Sequence, residues 1–298
     1  MSTPTNYAGI DIGSNAIRLL IAHVVETENS IEIKKNNLIR VPIRLGEDVF
    51  TRKIIGNEKK ITLMNALIGF KHIMAAYSVI DYKACATSAM REAENREDIV
   101  RIVQEQAGIA IDVIDGQEEA DIIFSGSEIA AITNDNDYMY VDVGGGSTEI
   151  TVFCNNKKVA ARSFPLGTVR ILNQGFDSER IEELSCWLKE TTALHRPGAI
   201  VGTGGNINKV QKLLNKKAKE ALTYSEIKHL YRKISGLSVE ERIQTLKMDE
   251  DRADVIVPAM HLFLTVMDES NIVRVFVPKT GLADGIVRQL YMKHSLTD

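Results

Sequence analysis

Asp142 and Glu149 stand on either side of three consecutive glycines in "YVDVGGGSTEI", Tyr140–Ile150. Both flanks alternate like strands, so the glycines interrupt a run that they would otherwise weaken. Two carboxylates facing one another across a hairpin make a hard-oxygen pair, suited to a magnesium ion that keeps several waters. Successive turn amides from Gly144, Gly145, Gly146 and Ser147 can converge into an anion-binding concavity. The missing side chains would let a phosphate approach that backbone. An earlier stretch has the same layout: "DIGSNAIRLLI" begins at Asp11 as "DVGGGSTEITV" begins at Asp142. Each is strand, Asp-x-Gly, small-residue turn, strand, with glycine and asparagine permitting the positive φ of a tight hairpin. The charged residue seven positions after each Asp differs in sign, Arg18 in the first copy and Glu149 in the second. The first copy therefore offers a phosphate the Gly13, Ser14 and Asn15 backbone and a cation paired with Asp11. The alternative is two ordinary hairpins with solvated acids; repetition in register argues against it.

Other residues carry chemistry singly. In "DGQEEADIIF", Asp115 and Glu118 fit a capping box, with Asp in place of the usual Ser or Thr. Glu118 thus has a structural explanation. Glu119 precedes Ile122 and Ile123 by three and four positions, which aims it toward the apolar, interdomain side of its helix. A carboxylate there can accept a proton from an attacking water or orient it. Arg91, in "TSAMREA", follows a short strand; its guanidinium suits bidentate contact to phosphate, and equally a surface ion pair at a helix end. "VGTGGNINKV" runs from a strand into a helix starting near Asn206, so Gly204 and Gly205 mark an anion site at a helix N-terminus or simply a tight turn. Lys279, in "PKTGLADGIV", reads more readily as a solvated loop lysine. The six histidines share no ligand spacing, and His261, on an apolar segment, reads as a core histidine.

The elements that must position these residues alternate. Strands are predicted at 7–12, 17–25, 31–38, 82–86 and 111–114, and helices at 57–77, 95–106 and from Asp115 to about Ala131. After a polar turn at 134–137 the pattern restarts, with strands at 138–143, 149–153, 159–164, 199–202 and 272–277. Helices follow at 178–194, 206–214, 224–234, 251–267 and 282–292, Pro258 predicting a kink or early break in the fourth. This is α/β alternation with crossover units. The 298 residues suffice for two domains, 1–128 and 129–298. Formal net charge is −4, so no global basic field recruits nucleic acid or a membrane. The three cysteines are scattered without ligand spacing, the N-terminus lacks an apolar signal core, and no apolar run reaches membrane length, which together predict a cytoplasmic protein.

"YAGIDIGSNAIRLLI", "CATSAMREAEN", "DVIDGQEEADIIF", "YVDVGGGSTEI" and "VGTGGNINK" together resemble the exopolyphosphatase/guanosine pentaphosphate phosphohydrolase (Ppx/GppA) family, within the actin-like, sugar-kinase and Hsp70 ATPase superfamily. The resemblance extends along nearly the whole chain. It implies two actin-like (ribonuclease-H-like) domains facing an interdomain cleft, the last helix (about 284–298) packing back on the first domain, and hydrolysis of a terminal phosphoanhydride of polyphosphate or guanosine pentaphosphate. It also points to Glu119 as the base and to a functional arginine at position 91. Asp142 and Glu149 would hold Mg2+ or another divalent cation. A homodimer is compatible with these features.

Two positions depart from the family pattern. The Glu-Glu motif usually continues Ala-Arg, here Ala120-Asp121, and the late Gly-Leu motif usually continues with Arg, here Ala283. Both lose a positive charge that would face a long polyanion. The chain also ends soon after the second domain, without the extra C-terminal domains of longer relatives. Processive action on long polyphosphate is therefore less expected than terminal phosphate removal. Two further readings compete: a non-catalytic sensor binding guanosine tetraphosphate or pentaphosphate, and an ATP-dependent kinase of the same superfamily, for which the chain has little room.

Overall fold

The isoleucine- and valine-rich alternation at the start of the chain folds into a meander. In a computed structural model, which describes residues 5–27, 30–124, 137–217, 219–278 and 280–295, β1 (Asn6–Ile12), β2 (Ala16–Thr27) and β3 (Ser30–Pro42) pair antiparallel in succession. β4 (Val79–Ala86) and β5 (Ile111–Val113) then add in parallel on the other side of β1, giving the order β3-β2-β1-β4-β5. Parallel neighbours require crossovers. α2 (Asn57–Ala76) precedes β4 and α4 (Arg96–Ala107) joins β4 to β5. Short helices α1 (Leu45–Arg52), α3 (Ser88–Glu92) and α5 (Gly116–Phe124) follow β3, β4 and β5.

The second half repeats this plan. β6 (Tyr138–Val143), β7 (Thr148–Cys154) and β8 (Lys157–Phe164) form the meander, β9 (Ile200–Thr203) and β11 (Arg274–Phe276) extend it in parallel, and β10 (Leu222–Thr223) closes the far edge. The order is β10-β11-β9-β6-β7-β8, so from the meander edge inward the two sheets have the same connectivity. Its helices are α6 (Thr168–Gln174), α7 (Ser178–His195), α8 (Gly205–Leu213), α9 (Tyr224–Ser235), α10 (Val239–Leu246), α11 (Glu250–Ala253) and α12 (Ile256–Ser270). The last helix is α13 (Leu282–Ser295).

The chain divides into two compact units: Met1–Ser127 with Thr280–Asp298, and Glu128–Lys279. In the first, Ile10, Ile12 and Leu19 of the sheet and Leu63, Leu67 and Phe70 of α2 are buried. α13 belongs to this unit and lies against β1 and α5. A methyl on Gly9 would collide with the carbonyl of Ala283, and one on Gly285 with that of Ile122, so these glycines allow backbones to meet. The second unit has its own core, in which Met139, Val141, Ile150 and Val152 join Met260 and Phe263 of α12.

Four helices were not predicted from the sequence: α1, α3, α6 and α10. Each has eight residues or fewer, too few for a 3.6-residue period to show. The segment predicted as one helix over 251–267 is split into α11 and α12. Pro258 is the third residue of α12, where its missing N–H is one that a helix start leaves unpaired anyway, so the break comes before it. The predicted continuation of α5 to Ala131, most of the polar turn and Lys279 lie outside the described residues. Among the described residues no helix is long and apolar enough to cross a membrane.

Candidate functional site

The two Asp-x-Gly stretches become hairpins of the same construction. Asp11 pairs across its hairpin with Arg18, and Asp142 with Glu149, each one step outside a closing pair, Ile12 with Ile17 and Val143 with Thr148. Each four-residue loop is closed by its first amide: Gly13 donates to Ala16 (3.2 Å) and Gly144 to Ser147 (2.9 Å). None of these loop residues takes a positive φ, contrary to the sequence expectation. Glycine is needed instead for close approach, since a Cβ would stand 3.1 Å from the Ala16 carbonyl oxygen at Gly13 and 3.2 Å from that of Ser147 at Gly144.

In the first unit the candidate residues gather at the carboxyl ends of the parallel strands β1, β4 and β5, the edge where open α/β sheets bind ligands. Asp11 is buried and accepts from Arg18 Nη1 at 2.6 Å, so the guanidinium is held by the carboxylate across the hairpin. The loop is braced from behind: the Arg44 amide donates to Asn15 O, the Gly46 amide to Ser14 O, and the Ala89 amide of α3 to Ser14 Oγ. Arg91 is half-buried, and its Nη1 donates to the Ile114 carbonyl at 2.8 Å, not to a carboxylate. That carbonyl follows β5 and precedes Asp115, whose Oδ1 accepts from the amides of Gln117 and Glu118, both at 2.8 Å. Glu118 is exposed beside this cap, Glu119 is half-buried, and Ile122 and Ile123 are buried. Arg91 thereby anchors the start of the helix carrying Glu119. Cys85, register partner of Asp11 on β4, has its thiol pushed up to about 12 by burial and stays protonated near neutrality.

In the second unit Gly144–Ser147 follow β6, and Gly204 and Gly205 follow its parallel neighbour β9, with Asp142 opposite Thr203. Gly204 has φ 104° and ψ 162°, a conformation essentially confined to glycine, and a Cβ there would stand 3.0 Å from Asp142 Oδ1. The space above this carboxylate thus exists because position 204 has no side chain. Glu149 is 3% exposed, and its Oε1 accepts from Ser147 Oγ at 2.6 Å and Ser163 Oγ at 3.0 Å. Ser147 therefore gives its hydroxyl to Glu149. Among the described residues no group of three or more His, Cys, Asp or Glu could hold a metal. Asp142 and Glu149 face one another across the β6–β7 hairpin, a two-carboxylate set of the kind that could hold magnesium, an ion that keeps several waters.

Sequence reasoning missed three participants: Ser163, Gly167 and Arg170. The last two brace the glycine loop. The amides of Thr168, Val169 and Arg170 donate to the carbonyls of Gly144, Gly145 and Gly145, and Arg170 Nε donates to Gly146 O at 2.8 Å. A signal was present: Leu166-Gly167 after β8 repeats Leu45-Gly46 after β3, and both glycines lie against their own unit's loop. His261, expected in the core, is half-buried, with ring centroids 4.4 Å from Phe176 and 6.1 Å from Tyr231. Burial lowers its pKa.

Residues 24–294 match the model of the Ppx/GppA phosphatase family. The chain is similar over 97% of its length to the structure of an exopolyphosphatase from Cytophaga hutchinsonii, at 22% identity and TM-score 0.84, covering 98% of that chain. A Ppx/GppA family member from Aquifex aeolicus superposes over 98% of this chain and 99% of its own, at 24% identity and TM-score 0.76. These structures share the two-sheet α/β fold. A bifunctional 3-dehydroquinate synthase/phosphatase from Fusobacterium nucleatum is 33% identical over 183 residues, 60% of this chain. The chain spans only 27% of the length of that curated relative.

Proposed function

Because the chain belongs to the Ppx/GppA phosphatase family, we propose that it is a hydrolase removing the terminal phosphate of polyphosphate, guanosine pentaphosphate or both. The observation that carries this reading is the duplicated hairpin: two braced loops of one design, with Asp11–Arg18 in the first and Asp142–Glu149 in the second. In the proposal the turns Gly13–Asn15 and Gly144–Ser147 bind the terminal phosphate through their amides other than those of Gly13 and Gly144, which close the loops, helped by Gly204, Gly205 and the dipole of α8. Asp142 and Glu149 hold a divalent cation, which supplies charge neutralisation to the phosphate oxygens when bound. Glu119 orients a water and takes its proton as the water oxygen attacks phosphorus. The anhydride P–O bond breaks, and its electron pair leaves with the shortened chain. Arg91 keeps the α5 start in place and contacts the phosphate. Phosphoryl transfer asks mainly for such positioning and charge compensation. We also place the protein in a reducing cytoplasm, on the ground that Cys85, Cys154 and Cys186 are all free.

The test is phosphate release with magnesium from short polyphosphate, long polyphosphate and guanosine pentaphosphate in parallel. Activity on at least one is expected, falling about 10²–10⁴-fold in Glu119→Gln, the usual contribution of a general base, and also lost in Asp142→Asn. Normal turnover in both variants removes the proposed site. Binding of guanosine pentaphosphate without release from any substrate makes the protein a sensor instead.

A further inference from the structure

The loop Gly144–Ser147 is held through its carbonyls by α6. The carbonyls of Gly144 and Gly145 accept from the amides of Thr168, Val169 and Arg170, at distances of 2.8 to 3.1 Å, and that of Gly146 accepts from Arg170 Nε at 2.8 Å. No peptide bond described here is cis. In a trans peptide the N–H points opposite to the C=O of the same plane. Three carbonyls turned toward α6 therefore turn the amides of Gly145, Gly146 and Ser147 the other way. Among the described residues none of these three amides donates to a backbone carbonyl in a turn or loop. Gly167 lets α6 come this near, because a Cβ there would overlap the Gly145 and Gly146 backbone.

The first unit has the same brace in simpler form. There the amides of Arg44 and Gly46 hold the carbonyls of Asn15 and Ser14. Aligning Leu45-Gly46 with Leu166-Gly167 puts Val49 where the second unit has Arg170. The second brace includes a side-chain donor, and its owner is 5% exposed. Burying a guanidinium behind a loop of backbone carbonyls is costly unless it is hydrogen-bonded there. The bond to Gly146 O offsets that cost and fixes the last peptide plane before Ser147.

We propose that Arg170 is a positioning residue for phosphate binding: it locks the Gly146–Ser147 peptide so that the amides of Gly145, Gly146 and Ser147 converge on the substrate's terminal phosphate. This rests on the hydrolase reading for the identity of the anion. The test uses the full chain, with inorganic phosphate as the probe, followed by amide chemical shifts and by inhibition of phosphate release. In the parent protein, phosphate is expected to shift the Gly145, Gly146 and Ser147 amide resonances. Arg170→Gln should raise the phosphate dissociation constant and KM about tenfold, the scale of one lost hydrogen bond in a preorganised site, while kcat falls less. Arg170→Lys, which keeps a charged donor, should recover part of the affinity. A purely structural role predicts a lower melting temperature with unchanged KM and phosphate affinity, and that result overturns the proposal. So does a parent protein in which phosphate moves other resonances but leaves these three in place, a readout that does not depend on any variant folding. A parent that binds phosphate at this loop yet hydrolyses nothing refutes the hydrolase reading and leaves the role of Arg170 standing.

Discussion

Gly204→Ala isolates the link between backbone conformation and the carboxylate pair. At φ 104° and ψ 162° an alanine is strained, at a cost of about 1–3 kcal/mol. Its methyl would also lie 3.0 Å from Asp142 Oδ1 and 3.1 Å from the Val143 carbonyl oxygen, and crowding of this kind adds about 1 kcal/mol. The sum, about 2–4 kcal/mol, falls on a unit of about 150 residues and corresponds to a melting point lowered by about 5–12 °C. Relief of the contact must come from Asp142 turning away, because the other neighbour is backbone, so the magnesium dependence of phosphate release should shift to higher concentration. Gly69→Ala is the control. It lies inside α2 with nothing within 4 Å of an added methyl, and should stabilise by about 0.5–1 kcal/mol through helix propensity. Thermal unfolding by circular dichroism and a magnesium titration read both effects. If Gly204→Ala melts within about 1 °C of the parent, less than even 1 kcal/mol would produce, and keeps its magnesium dependence, the account of that glycine is wrong.

Two further outcomes follow from the geometry. Ser163→Ala removes one of the two hydroxyls donating to the buried Glu149 carboxylate, and should cost about 1–2 kcal/mol in denaturant unfolding; an unchanged midpoint would show that the bond contributes nothing. Burial lowers the pKa of His261 in the folded state, so below about 6.5, the ordinary histidine value, the unfolded chain takes up a proton that the folded one resists. Stability should therefore fall as pH drops through this window, and His261→Gln should flatten that part of the melting-point profile; identical profiles would rule the residue out as a source.

The order of elements and the duplicated hairpin were legible in the sequence, because both depend on local pattern: alternation for strands, apolar spacing for long helices, and Asp-x-Gly with a charged residue seven places on. Asp115 as a helix cap and Glu119 on the less exposed side of its helix followed from positions only a few residues apart. What tertiary structure alone decided involves partners distant in the chain. Arg91 turned to the carbonyl of Ile114, not to a carboxylate, because β4 and β5 lie side by side. Ser163 reached Glu149 because β8 pairs with β7, and Arg170 reached Gly146 because α6 folds back under the loop. Gly13 and Gly144 were read as sources of positive φ but serve close approach, and Gly204, a site glycine that does have positive φ, owes its place to the packing of β9 beside β6. Local sequence specifies torsional preference and which face is apolar; which backbone lies within 3 Å of which carboxylate is fixed only when strands far apart in sequence are brought into register.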